Sequence, residues 1–104
     1  LTSSHYGKGA ALGSLGRHEE AIRSFDLALE ADGRSAAAWY NKGVSLSYLG
    51  RVQEALDCLD QALQINPALS SAWCRKGEIL MALGRATEAE AAFARAEIPG
   101  GSAL

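Results

Sequence analysis

The residues from which metal sites, disulfide frameworks and nucleophilic catalysis are built are nearly missing: 104 positions hold two cysteines and two histidines. Cys58 and Cys74 show neither CxxC spacing nor accompanying histidines, so no metal site is expected. Free, mostly buried thiols fit a reducing compartment such as the cytoplasm. His5 and His18 join no Ser/His/Asp or Cys/His pattern, which leaves no catalytic residue to nominate and argues against an enzyme. There is no glycine loop of the kind that cradles phosphate, and no cofactor is implied. Charge of one sign is lacking as well. Ten Lys and Arg against twelve Asp and Glu leave a formal net charge of -2, which removes the main driving force for nucleic-acid binding. No apolar run approaches the ~20 residues of a membrane span, and no charged-then-apolar leader opens the chain, so no membrane contact is expected. The first residue is Leu1 rather than Met, from which a longer parent polypeptide is expected.

What the sequence has instead is repetition. The stretch Ala36 to Leu69 matches the residues before and after it at a shift of 34 positions. Lys8, Lys42 and Lys76 fall in register, as do Gly9, Gly43 and Gly77, Leu12, Leu46 and Leu80, and Leu15, Leu49 and Leu83. The match runs on through Gly16, Gly50 and Gly84, then Arg17, Arg51 and Arg85, Glu20, Glu54 and Glu88, and Ala21, Ala55 and Ala89. A strict period in this range means a solenoid of stacked supersecondary units, of which three are about the minimum for stability.

Each unit holds two helical patterns. Ser3 or Ser4 can cap a helix running to about Leu15, and Gly16 and Arg17 turn the chain into a second helix from His18 to Ala31. The second unit repeats this as Ala36 to Tyr48 and Val52 to Ile65, the third as Ser70 to Ala82 and Ala86 to Glu97. Glycine inside a helix costs about 1 kcal/mol relative to alanine, so its recurrence at Gly43 opposite Ala55 signals a close helix crossing. Trp39, Leu46, Leu49, Leu59 and Leu63 are expected to fill the space beside that crossing. Lys42 is expected to lay its methylenes along the core with its amine in water. The repeated glutamates follow the turn, where they favour the N-terminus of the second helix.

Trp39, Gly43, Leu46, Ala55, Leu59, Ala62 and Pro67 resemble the signature of the tetratricopeptide repeat, whose period is also 34 residues. The resemblance implies an all-α, right-handed α-solenoid of three helix-turn-helix repeats (six helices), one domain over 1–104 with repeats at about 2–35, 36–69 and 70–101. His5 stands where the other copies carry Trp39 and Trp73. Glu90 and Glu97 replace the Ile22/Leu56 and Leu29/Leu63 pairs, from which the third repeat is expected to end the array, followed by a flexible tail at 99–104.

The resemblance also implies a function: a non-catalytic protein–protein interaction module that holds a peptide or protein segment in the concave groove lined by the first helices. Carried over by register, the groove candidates are Tyr6, Tyr40, Asn41, Val44, Tyr48, Cys74, Arg75, Glu78 and Met81. All three tyrosines are among them, and tyrosine gives large contact area at small entropy cost. Family members that bind acidic chaperone tails use a clamp of lysines, asparagines and an arginine. Asn41 and Arg75 match two of its places, but Tyr6, Ala10 and Ser71 stand where Lys, Asn and Lys are needed. A rival reading makes the chain a structural segment of a longer solenoid, or one that self-associates through its N-terminal face. A third makes it an accessory domain of a larger enzyme.

Overall fold

The computed structural model describes residues 2–97. Among these residues there are six helices and no strand: α1 (Thr2–Ser14), α2 (His18–Ala31), α3 (Ala36–Tyr48), α4 (Val52–Ile65), α5 (Ser70–Ala82) and α6 (Ala86–Glu97). The six fall where the apolar spacing places them. One cap does not, because α1 is already helical at Thr2 and so contains Ser3 and Ser4 instead of starting from them. The serine that does cap is Ser35, whose hydroxyl accepts the Ala38 N–H at 3.1 Å at the start of α3.

Every unit closes its first helix in the same way. Gly16, Gly50 and Gly84 have φ of 80°, 79° and 78°, a left-handed conformation that glycine takes without a Cβ penalty. The next residue then donates its N–H back across the helix end, Arg51 to the Leu46 carbonyl at 2.9 Å, while Gly50 donates to Ser47 at 3.0 Å. This pair of bonds is the Schellman motif, and it recurs at Arg17 and Arg85. The same arginines reach forward over the new helix. Arg51 donates to both carboxylate oxygens of Glu54 at 2.7 and 2.9 Å, and Arg17 and Arg85 do likewise with Glu20 and Glu88. Each pair raises its arginine's pKa and holds its glutamate below the usual carboxylate range, the side-chain hydrogen bond being the main cause on both sides.

Between units the chain ends a helix on Asp32 or Asn66, whose side chains accept the N–H of Arg34 or Ala68 at 3.1 Å. The indoles of Trp39 and Trp73 donate to the carbonyls of Gly33 and Pro67 just before the helix they belong to, at 3.0 and 2.8 Å. The tryptophans therefore tie each inter-repeat turn to the following helix.

The helices of a unit pack as a hairpin, and α2 packs on α3 and α4 on α5. The first helices also adjoin directly, α1 to α3 and α3 to α5, which puts them on the inner side of an elongated body of 40 × 28 × 20 Å. Phe25, Leu46 and Leu59 are the largest fully buried side chains. A Cβ on Gly43 would lie 3.1 Å from the Ala55 carbonyl oxygen and 3.2 Å from Leu59, so the expected crossing is there. At Gly9 and Gly77 the Cβ would come within 2.7 Å of the rings of Phe25 and Phe93, which stand in register with Leu59.

Three expectations need correction. Leu49 does not fill the core; it and its counterparts Leu15 and Leu83 are exposed at the helix ends, since the Schellman turn throws the C-cap residue outward. Cys58 is buried but Cys74 is exposed, because position 74 lies on the inner face of α5. The Lys42 amine is not free in water, because Asp26 of the preceding repeat lies 2.6 Å from it. Glu90 and Glu97 are exposed, as expected. The tail at 99–104 lies outside the described residues.

Candidate functional site

The inner face is built by α1, α3 and α5, each of which turns one stripe toward it. Two open recesses lie between these helices. The first, of about 250 Å³, has Gly9, Ala10 and Gly13 of α1 as its floor and Asn41, Val44 and Tyr48 of α3 as its wall. Small residues on α1 leave the space that larger ones on α3 border. The second, of about 280 Å³, lies between α3 and α5 and is bordered by Tyr40, Cys74, Arg75 and Glu78.

The candidates differ in how free they are. Tyr6 is half-buried, tilted against Phe25 with ring centroids 5.8 Å apart, and its hydroxyl accepts the Asn41 amide N–H at 2.9 Å. Asn41 also donates to the Ala37 carbonyl at 2.9 Å, so both amide hydrogens are engaged. Tyr40 packs its ring on the main core and shows its remainder to the second recess. Tyr48, by contrast, is 64% exposed. Its ring stacks on His18 at 4.7 Å and 8°, and the Arg75 guanidinium lies 6.0 Å from the ring centre. Arg75 also lies 3.3 Å from Glu78 of the same helix, a loose pair.

His18 sits at the edge of packing, as expected, and sequence reasoning missed its partner. The stacking links α2 to α3 across the repeat boundary, a contact that only the docked geometry creates. Its Nδ1 is buried with no hydrogen-bond partner among the described residues. A second missed feature is more informative. Of the exposed large hydrophobic side chains among the described residues, Leu15, Tyr48, Leu49, Met81 and Leu83 all sit in or just after the last turn of α1, α3 or α5, and only Leu27 lies elsewhere. Their recurrence was legible but looked like core. Exposed large apolar side chains thus gather at the C-terminal ends of the first helices, where Leu49 borders a recess with Gly16, Arg17 and His18.

Comparison with known proteins agrees with this architecture. Family models described as tetratricopeptide repeat match residues 36–69 and residues 2–34 and 70–97. No curated protein matches the chain significantly. Among solved structures, the second TPR of Spaghetti (RPAP3) bound to HSP90 peptide SRMEEVD is similar with a TM-score of 0.90 at 24% identity, over 94% of this chain and 91% of that one. MamA is similar with a TM-score of 0.89 at 22% identity, over 92% of this chain and 56% of that one. The Yersinia enterocolitica type III secretion translocator chaperone SycD has a TM-score of 0.89 at 17% identity, over 92% and 73%. At these identities the likeness is one of fold.

Proposed function

Because the chain belongs to the tetratricopeptide repeat family, we propose that it is a non-catalytic interaction module which docks a peptide or protein segment along the inner face. Repeats of this family generally mediate protein–protein interaction. The observation that carries the reading is the gathering of Tyr48, Met81 and the repeated exposed leucines at one end of α1, α3 and α5. A bound segment lays apolar side chains on Tyr40, Tyr48, Val44 and Met81, with Arg75 as its one charged anchor. Arginine meets a carboxylate through two parallel hydrogen bonds, and methionine adapts to varied apolar contacts. A carboxylate must draw Arg75 from Glu78, which is a modest demand given their 3.3 Å spacing and the exposure of Glu78. Recognition is therefore mixed and mainly apolar, with affinity in the micromolar range, on the order of -8 kcal/mol.

The HSP90 peptide held by the second TPR of Spaghetti tests the alternative of acidic-tail binding. Asn41 is already committed to Tyr6 and Ala37, and Ala10 and Ser71 offer no charge. Titrated with SRMEEVD, the protein is expected to bind no tighter than millimolar. Peptides selected against it by phage display should instead weaken about tenfold or more with Tyr40→Ala and Arg75→Ala, once circular dichroism has shown both variants folded. If Asp57→Ala on the outer face weakens them and the inner-face variants do not, the assignment is wrong.

A further inference from the structure

On the side turned away from the inner face, the first and second helices of each unit meet along positions that share the 34-residue register. There the third repeat departs from the second at three neighbouring places. Where repeat two has Asp57, Cys58 and Gln61, repeat three has Ala91, Ala92 and Arg95. One carboxylate is removed, one side chain is shortened and one cation is added. An open recess of about 300 Å³ lies at this place, lined by the apolar Trp73, Leu80, Ala91 and Ala92, with Lys76, Glu88 and Arg95 around them. It shares no residue with the two recesses of the inner face. Asp57 and Gln61 are exposed although repeat three follows them, so this side of the molecule stays open where another repeat is stacked on it.

The charges around the recess point to one kind of ligand. Trp73 has two cations over its ring, the Lys76 amine at 5.4 Å and the Arg95 guanidinium at 4.6 Å from the ring centre, from two different helices. They are not equally free. Lys76 is paired with Asp60 at 2.7 Å, and Glu88 is held in its fork by Arg85. Among the described residues no carboxylate pairs with Arg95, whose contact is the indole. A guanidinium over an aromatic ring keeps its N–H groups available in its own plane and is weakly hydrated, which suits it to grip a carboxylate through two parallel bonds. A second negative charge on the ligand would meet Glu88 and, in the adjoining recess that shares Trp73, Lys76 and Arg95, Asp60. The volume stands at the small end of the roughly 300–1,000 Å³ of small-molecule sites, which is room for one compact apolar body. We infer that the recess between α5 and α6 is a binding site for a small monocarboxylic acid with an apolar body, the carboxylate on Arg95 and the body against Trp73, Leu80 and Ala91. This site is independent of whatever docks on the inner face.

The probes are naphthoate and octanoate, each titrated into the ¹⁵N-labelled protein, whose two indole N–H signals report on Trp39 and Trp73 separately. Saturable binding in the millimolar range or tighter is expected from at least one acid, moving the Trp73 indole and the Ala91 and Ala92 amides while the Trp39 indole stays still. Naphthylmethanol, the same body as naphthoate without the charge, should bind about fivefold more weakly, and octanol likewise against octanoate. Arg95→Gln and Ala91→Asp each install what repeat two carries, at exposed positions, so the fold is kept, as circular dichroism verifies. Arg95→Gln should abolish the preference for the acid and Ala91→Asp should weaken acid binding, whereas Tyr40→Ala on the inner face should change neither. The inference is overturned if neither acid saturates at tens of millimolar, if acid and alcohol bind alike, if both indoles move together, or if the preference survives Arg95→Gln.

Discussion

At the scale of single residues, the helix crossing at Gly43 is the most constrained point of the middle repeat. An added Cβ would meet the Ala55 backbone carbonyl at 3.1 Å, and backbone cannot swing aside as a side chain can. The ~1 kcal/mol of helix propensity that a non-glycine residue gains is outweighed once the side chain is large, because overpacking costs ~1–3 kcal/mol. Gly43→Leu is therefore expected to lower the denaturation midpoint; an unchanged midpoint contradicts the crossing. The glycine register made this contact legible without coordinates. The Lys42–Asp26 and Lys76–Asp60 pairs were not legible, because they exist only once one repeat has docked on another. The two thiols also separate at this scale. Burial pushes Cys58 up to about 11, whereas Cys74 is exposed. Since the thiolate is the reactive form, Ellman's reagent near neutral pH should titrate one thiol quickly in the native protein and the second only on unfolding. Two fast thiols would contradict the buried placement of Cys58.

At the scale of the element, the unit is a helix, a Schellman turn, an arginine–glutamate fork and a second helix. The turn was legible because a glycine followed by arginine recurs with the repeat. The fork was only half legible: the glutamate's place after the turn was clear, but the bidentate geometry depends on how the Schellman turn aims Arg51. Gly50→Ala is expected to cost about 1–2 kcal/mol, the strain of a left-handed residue bearing a Cβ. The fork predicts a pH effect with a definite sign. Glu54 has its pKa lowered in the fold, so its contribution is present above the unfolded carboxylate value of about 4.3 and is lost as pH falls through the folded value. Being exposed, the pair contributes little and is screened by salt. Comparing unfolding midpoints of the protein and Glu54→Gln should show a small difference at neutral pH that vanishes in acid. A difference that grows in acid would have the wrong sign.

At the scale of the whole molecule, three hairpins stack so that their first helices share one face, and the proposed docking depends on what that face displays. The periodicity made the stacking and the membership of the face legible. It did not reveal which residues on the face are free, because exposure depends on how neighbouring repeats cover one another. Tyr6 and Asn41 satisfy each other, whereas Tyr48 and Met81 remain largely open. The exposed leucines after each first helix were hidden by their own regularity, which made them look like core. The most direct measurement is a chemical-shift map of the ¹⁵N-labelled protein saturated with a peptide selected for binding. The largest shifts are expected on Tyr40, Val44, Tyr48, Arg75 and Met81, fading along α2 and α4. Shifts concentrated on outward residues such as Asp57 and Gln61, with the inner face unmoved, would contradict the account.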